Sequence, residues 1–218
     1  MFDAAIFDWD GTLADTRQAI VVAFQKALVE IDCKVSNEYI ERRIGIGAAE
    51  TFRDVLKAAN QQPDEDLVKW LVNRKSELEI ELSDQINLFP GATELLRALN
   101  GKLKMGLASM NNLSVILHLI KAKEVEKYFS AVLTAESISY SKPNPEIFLK
   151  MAQELGASPQ GCVVFEDSIF GVKAAKSAGM SCVAVTTGVY SKEELSAAKP
   201  DLIVKSLSDN GIVPFVLL

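Results

Sequence analysis

The apolar positions of this chain change period along its length. Ala4-Ala5-Ile6-Phe7 is a short continuous apolar run, the pattern of a strand buried on both faces of a parallel sheet. From Arg17 to about Leu82 the apolar residues fall at helical spacing instead. Ile20, Phe24, Leu28 and Ile31 form one stripe, and Phe52, Val55, Leu56 and Ala59 a second. Pro63-Asp64 marks a helix start, after which Leu67, Leu71, Leu78 and Leu82 form a third. No strand-like run interrupts these helices. From Pro90 onward the two patterns alternate, predicting helix Ala92–Leu99, strand Leu103–Ala108, helix Leu113–Lys121, strand Ala131–Thr134, helix Glu146–Leu155 and strand Cys162–Phe165. Helix Gly171–Ala178 and strands Cys182–Val185 and Leu202–Val204 complete the series, with Gly156 and Gly179 where helices should stop. Such alternation builds right-handed βαβ units and a parallel sheet covered on both faces. The first strand belongs to that sheet. The expectation is an α/β core from residues 1–15 and 88–218, with a helical insert, residues 16–87, as a lid. The apolar tail Ile212–Leu218 is expected to pack on the core.

Composition narrows the partners. The 218 residues, 49% hydrophobic and 24% charged, suffice for one large domain or a core with an insert. A net charge of −6 argues against a nucleic-acid backbone, which calls for a basic face. No run approaches the ~20 apolar residues that cross a bilayer, so no membrane partner is expected. The amino terminus, MFDAAIFDWD, carries acids where a signal peptide has basic residues. Cys33, Cys162 and Cys182 are odd in number and widely spaced. They read as reduced thiols of a cytoplasmic protein, neither a disulfide framework nor a zinc site. The single histidine, His118, excludes a His-based triad or a multi-histidine metal centre and reads as structural.

Chemistry gathers where the strands end. Asp8 and Asp10 follow the first run, and Gly11 breaks the pattern. Two carboxylates closing a buried strand are costly to desolvate, but the carboxyl edge of a parallel sheet is where α/β proteins bind ligands. Ser109 closes the second strand, Ser141-Lys142-Pro143-Asn144-Pro145 follows the third, and Glu166-Asp167-Ser168 closes the fourth. Each has an ordinary structural reading by itself. Asp10-Gly11 makes a turn, Ser109 with Asn111 or Asn112 caps a helix, Lys142 is a solvated side chain at a helix entry, and Glu166-Asp167 is an acidic helix start. Their order and their places at successive strand ends argue for one site.

The stretch Asp8-Trp9-Asp10-Gly11-Thr12, continuing through Leu13, Asp15 and Thr16, resembles the first motif of the haloacid dehalogenase superfamily phosphatases. Lys142 in its Lys-Pro-x-Pro setting and the pair Glu166-Asp167 are similar to that family's later motifs, in the same order. The resemblance covers Met1–Thr16 and about Leu88–Val204. The insert matches in position and size the cap of the subgroup containing phosphoglycolate phosphatases, sugar-phosphate phosphatases and β-phosphoglucomutases. It implies a Rossmann-like, haloacid dehalogenase-like α/β core with an inserted α-helical cap.

By that resemblance Asp8 is a nucleophile forming an aspartyl-phosphate. Asp10 protonates the leaving oxygen and then takes a proton from water, and Lys142 pairs with phosphate and nucleophile. The Asp8 carboxylate, the Asp10 backbone carbonyl and Asp167 would hold magnesium (Mg²⁺), with Glu166 in support. Ser109, with the neighbouring Met110 and Asn111, would bind phosphoryl oxygens, and Thr16 is assigned to the substrate side. Met110 stands where the family usually has a smaller or polar residue. Glu41-Arg42-Arg43-Ile44-Gly45-Ile46-Gly47 resembles the specificity loop of capped phosphatases. Arg43 and Gly45 are its candidate substrate contacts, and Arg42 or Arg43 is suited to a carboxylate or sugar hydroxyls.

The resulting expectation is a Mg²⁺-dependent phosphatase, monomeric or weakly dimeric, acting on a small phosphorylated metabolite, either phosphoglycolate or a sugar phosphate. A β-phosphoglucomutase is the alternative, but that family carries a histidine where this chain has Ile20. A phospho-receiver signalling domain also has a phosphorylatable Asp, a Lys and a hydroxyl residue, but has neither an inserted lid nor the second aspartate. Dehalogenases and phosphonatases likewise lack that second aspartate by family pattern.

Overall fold

The computed structural model describes residues 2–218. Strand β1 (Ala4–Phe7) is buried at all four positions and lies at the centre of a six-stranded parallel sheet. Its alternate residues feed two different cores, Ala5 and Phe7 on one face, Ala4 and Ile6 on the other. That period of two is why four apolar residues in a row were needed.

After a two-residue strand β2 (Ala14–Asp15) the chain leaves the sheet for four helices: α1 (Arg17–Val29), α2 (Asn37–Glu41), α3 (Ala48–Ala58) and α4 (Glu65–Glu81). Asp64 caps α4, accepting from the Asp66 and Leu67 N–H groups at 2.7 and 3.3 Å. The stripes read from the sequence close on one another here: Phe24, Leu28, Phe52, Leu56 and Leu71 share a cluster separate from both sheet cores. The rings of Phe24 and Phe52 lie 4.6 Å apart. Burial of each such side chain contributes roughly 1.5–3 kcal/mol and holds the four helices to one another.

The chain returns through β3 (Asn87–Leu88), which pairs antiparallel with β2. This ribbon, at the two crossings between core and cap, was not expected, because two residues per strand leave no periodicity to detect. Then follow α5 (Ala92–Leu99), β4 (Lys104–Ala108), α6 (Leu113–Ala122), β5 (Ala131–Leu133), α7 (Glu146–Glu154), β6 (Cys162–Glu166), α8 (Ile169–Ser177), β7 (Ser181–Val185), α9 (Lys192–Ala197), β8 (Leu202–Val204) and α10 (Ile212–Leu217). Strand order is β5-β4-β1-β6-β7-β8. Residues of α5, α6 and α10 join the core on one face and those of α7, α8 and α9 the other. The tail packs as expected: Ile212 and Val216 are buried, and the Phe215 ring lies 6.0 Å from that of Phe2.

Helix α8 begins two residues before the expected Gly171, because the Ser168 hydroxyl accepts from the Gly171 N–H at 3.0 Å and caps it. All three cysteines are free and buried. His118 Nε2 sits 3.0 Å from the Ser83 hydroxyl. Among the described residues no helix is long and apolar enough to cross a membrane.

Candidate active site

Sheet register brings the polar strand ends together. Phe7 pairs with Leu107 on one side and Phe165 on the other, and the Asp8 N–H extends the ladder by donating to Phe165 O at 3.0 Å. Asp8, Ser109 and Glu166-Asp167 therefore emerge side by side at the carboxyl edge. Lys142 comes from the loop before α7 and is only 1% exposed. Its ammonium donates to Asp8 Oδ1 at 2.7 Å, to Glu166 Oε1 at 2.7 Å and to Ala108 O at 3.3 Å. Burial opposes the Lys142 charge, but Asp8 and Glu166 outweigh it and hold the pKa above its ordinary value.

Glu166 is engaged on both oxygens. Oε2 accepts from the Asp167 N–H, the Ser168 N–H and the Ser168 hydroxyl, each at 3.0 Å. A side chain at Gly171 would occupy the space this carboxylate fills, which is why the first turn of α8 carries a glycine. Asp167 is wedged in the same way. Gly11, with φ +85°, and Gly188 lack side chains where its carboxylate lies, and the Thr12 hydroxyl donates to it at 3.3 Å.

Oxygens of Asp8, Glu166 and Asp167 lie within 4.8 Å of one another. Burial raises the pKa of Asp8 well above the usual carboxylate value, Lys142 counters it, and Glu166 and Asp10 raise it again. Asp167 is raised in the same direction by burial and then by Glu166 and Asp8. Three carboxylates against one ammonium leave two excess negative charges when all are ionised. An all-oxygen, net-negative, buried cluster fits a hard divalent cation such as Mg²⁺.

Asp10 is held apart from this cluster. The Ser109 hydroxyl donates to its Oδ2 at 3.1 Å, and the Asn111 amide reaches its Oδ1 at 3.4 Å. Ser109 Oγ in turn accepts from the Asn111 N–H at 3.0 Å. Met110 is buried between them and the cap, its methyl against Gly47.

Two cap residues that sequence reasoning missed complete this part of the site. Lys75 and Glu79 of α4 form a buried ion pair. Lys75 donates to Asn111 Oδ1 at 3.0 Å, and Asn111 Nδ2 donates to Glu79 Oε1 at 2.8 Å, so the pair clamps the amide from both ends. Burial raises the Glu79 pKa, Lys75 counters it, and Asp10 adds to it. The signal was present: Lys75 stands four residues after Leu71 and Glu79 four later, on the stripe that otherwise carries leucines.

Arg43 and Gly45 line a cleft with Asp10, Lys75, Met110 and Asn111. The cleft holds about 30 Å³ of free space, room for no more than a few water molecules. Arg42 lies elsewhere. Its guanidinium pairs with Glu194 of α9 and lies 4.4 Å from the Tyr190 ring, while the Tyr190 hydroxyl donates to its carbonyl at 2.6 Å. Thr16 is not brought to Ser109; it lines a different recess with Asp15 and Asp167. Its buried hydroxyl has no hydrogen-bond partner among the described residues.

A family model described as haloacid dehalogenase-like hydrolase matches residues 5–185. The chain is 29% identical to the phosphoglycolate phosphatase of Escherichia coli (strain K12), over 93% of this chain and 88% of that one. Among solved structures, a hydrolase from Pseudomonas syringae superposes with a TM-score of 0.88 at 27% identity, covering 95% of both chains. A β-phosphoglucomutase from Clostridium difficile superposes with a TM-score of 0.85 at 28% identity, covering 100% of this chain and 97% of that one. With its motif residues gathered at one sheet edge under a helical cap, the chain belongs to the haloacid dehalogenase-like hydrolase family, as an enzyme of the phosphatase class.

Proposed function

We propose that the protein is a Mg²⁺-dependent phosphatase that cleaves small phosphate monoesters through an aspartyl-phosphate on Asp8. The observation that carries this reading is the division between two aspartates two residues apart. Asp8 is held by the Lys142 ammonium at 2.7 Å, and Asp10 by the Ser109 hydroxyl at 3.1 Å. The first environment suits a nucleophile, the second a proton carrier.

Asp8 attacks phosphorus in line. The new bond runs from its carboxylate oxygen, and the bond to the ester oxygen breaks. Asp10 gives its proton to that leaving oxygen, then takes one from the water that hydrolyses the acyl phosphate, so Asp8 is regenerated and phosphate released. Lys142 offsets charge on Asp8 and the phosphoryl group, while Ser109 supplies a hydroxyl donor. Asp8, Asp167 and the Asp10 backbone carbonyl would hold Mg²⁺, which when bound supplies positive charge where anion meets anion. Glu166, engaged on both oxygens, orients Lys142 and the Asp167 backbone.

A cleft of about 30 Å³ has no room for a metabolite, so substrate entry requires the cap to lift. The mutase alternative carries a histidine at the position of Ile20, which offers the cleft only an apolar side chain. Phosphate release from a panel of sugar, polyol and two- or three-carbon phosphates tests the reading. Turnover should require Mg²⁺ and stop with a chelator; full turnover in chelator would overturn it.

A further inference from the structure

The cap brings two cations to the wall of the cleft, Lys75 and Arg43, and each has an acidic partner. Lys75 is 2% exposed and ion-paired with Glu79, which is wholly buried. Both also engage the amide of Asn111, and the Phe24 ring lies 5.6 Å from the ammonium. Arg43 pairs with Asp54 at 3.4 Å, stacks 3.9 Å over Tyr39 and is partly open to water. Its Nε–H is buried and has no partner among the described residues.

A carboxylate on the leaving group would need an unmatched positive charge here, since stripping it of water is otherwise uncompensated. Lys75 cannot provide one while Glu79 is beside it. A polyol asks for different things. A hydroxyl can accept from the Arg43 Nε–H, while Ile20 and Phe24 present apolar surface to the C–H face. We propose that Glu79 is a specificity-determining residue: by neutralising Lys75 it fits the cleft to uncharged, hydroxyl-bearing leaving groups, such as those of polyol or sugar monophosphates, and against carboxylate-bearing ones such as 2-phosphoglycolate. The inference rests on the phosphatase reading above and deepens it. It also separates this chain from the phosphoglycolate phosphatases that it resembles over most of its length.

The test compares kcat/KM for 2-phosphoglycolate with kcat/KM for the neutral polyol and sugar monophosphates of the panel, glycerol 1-phosphate among them. Wild type should prefer the neutral class. Glu79→Gln leaves Lys75 without its counter-charge, so the ratio should swing towards 2-phosphoglycolate by about tenfold or more, as expected for one charge freed in a partly desolvated site. A Glu79 that served only the fold would lower both values together, and an unchanged ratio overturns the proposal. Should Glu79→Gln fail to fold, wild type still decides: a preference for 2-phosphoglycolate contradicts it. Phosphate release from no member of the panel would instead sink the phosphatase reading, so the two failures are distinguishable.

Discussion

Buried charge reaches this cleft from two regions built on different rules. At the sheet edge, Asp8, Ser109 and Glu166 each follow an apolar strand, and the hydrogen-bond ladder fixes their spacing. In the cap, Lys75 and Glu79 sit on a helix whose position depends on the β2–β3 ribbon and on contacts such as that of Arg42 with Glu194. The first set is held within the core itself. The second meets Asn111, and through it Asp10, across the boundary between cap and core. On the reading proposed above, core residues carry out the chemistry and cap residues decide which leaving group they meet.

Substitutions in the two regions should differ in size and kind. Asp10→Asn keeps the backbone carbonyl but removes the proton carrier, so turnover should fall by ~10²–10⁴-fold. The loss in the phosphoryl-transfer step should be smaller for an aryl phosphate, whose leaving group needs little protonation. Equal losses for aryl and alkyl esters would remove Asp10 from its role in leaving-group protonation. In the cap, Arg42→Ala should act weakly, because the Arg42–Glu194 pair is solvent-exposed. A KM change of less than about fivefold with kcat unaltered is expected. Hydrogen bonding to Arg42 holds the Glu194 carboxyl down to about 2. A depressed carboxylate pKa means that this pair is at full strength above the ordinary carboxylate range and is lost as pH falls towards about 2. Protection of the β2–β3 ribbon amides, taken relative to their intrinsic exchange rates, should therefore fall over that acid window in wild type and be less pH-sensitive there in Arg42→Ala.

The same contrast explains what could be read from the chain. Asp8, Asp10 and Glu166-Asp167 stood out because each closes an apolar run where a charge is expensive, whereas Lys142 follows a polar loop and stood out only through its Lys-Pro-x-Pro setting. Lys75 and Glu79 did not, since Leu67, Leu71, Leu78 and Leu82 already make an ordinary amphipathic stripe, and a lysine among them passes for solvated. Only packing against Asn111 shows that the stripe faces the site. Arg42 and Arg43 are neighbours in sequence, and which one lines the cleft depends on how the loop after α2 turns. Thr16 belongs to the first motif, yet it lies beside the β2–β3 ribbon and lines a separate recess. The ribbon itself is too short to leave a pattern.

The central claim is that Asp8 takes the phosphoryl group. Rapid-quench trapping with a labelled phosphate ester tests it most directly, using wild type, Asp10→Asn and Asp8→Asn with Mg²⁺ present. Wild type should show labelled protein during turnover, and Asp10→Asn should accumulate it with a good leaving group, because hydrolysis of the acyl phosphate still needs the missing base. Asp8→Asn should show none and turn over at background. Label on Asp8→Asn at the wild-type level would contradict the account.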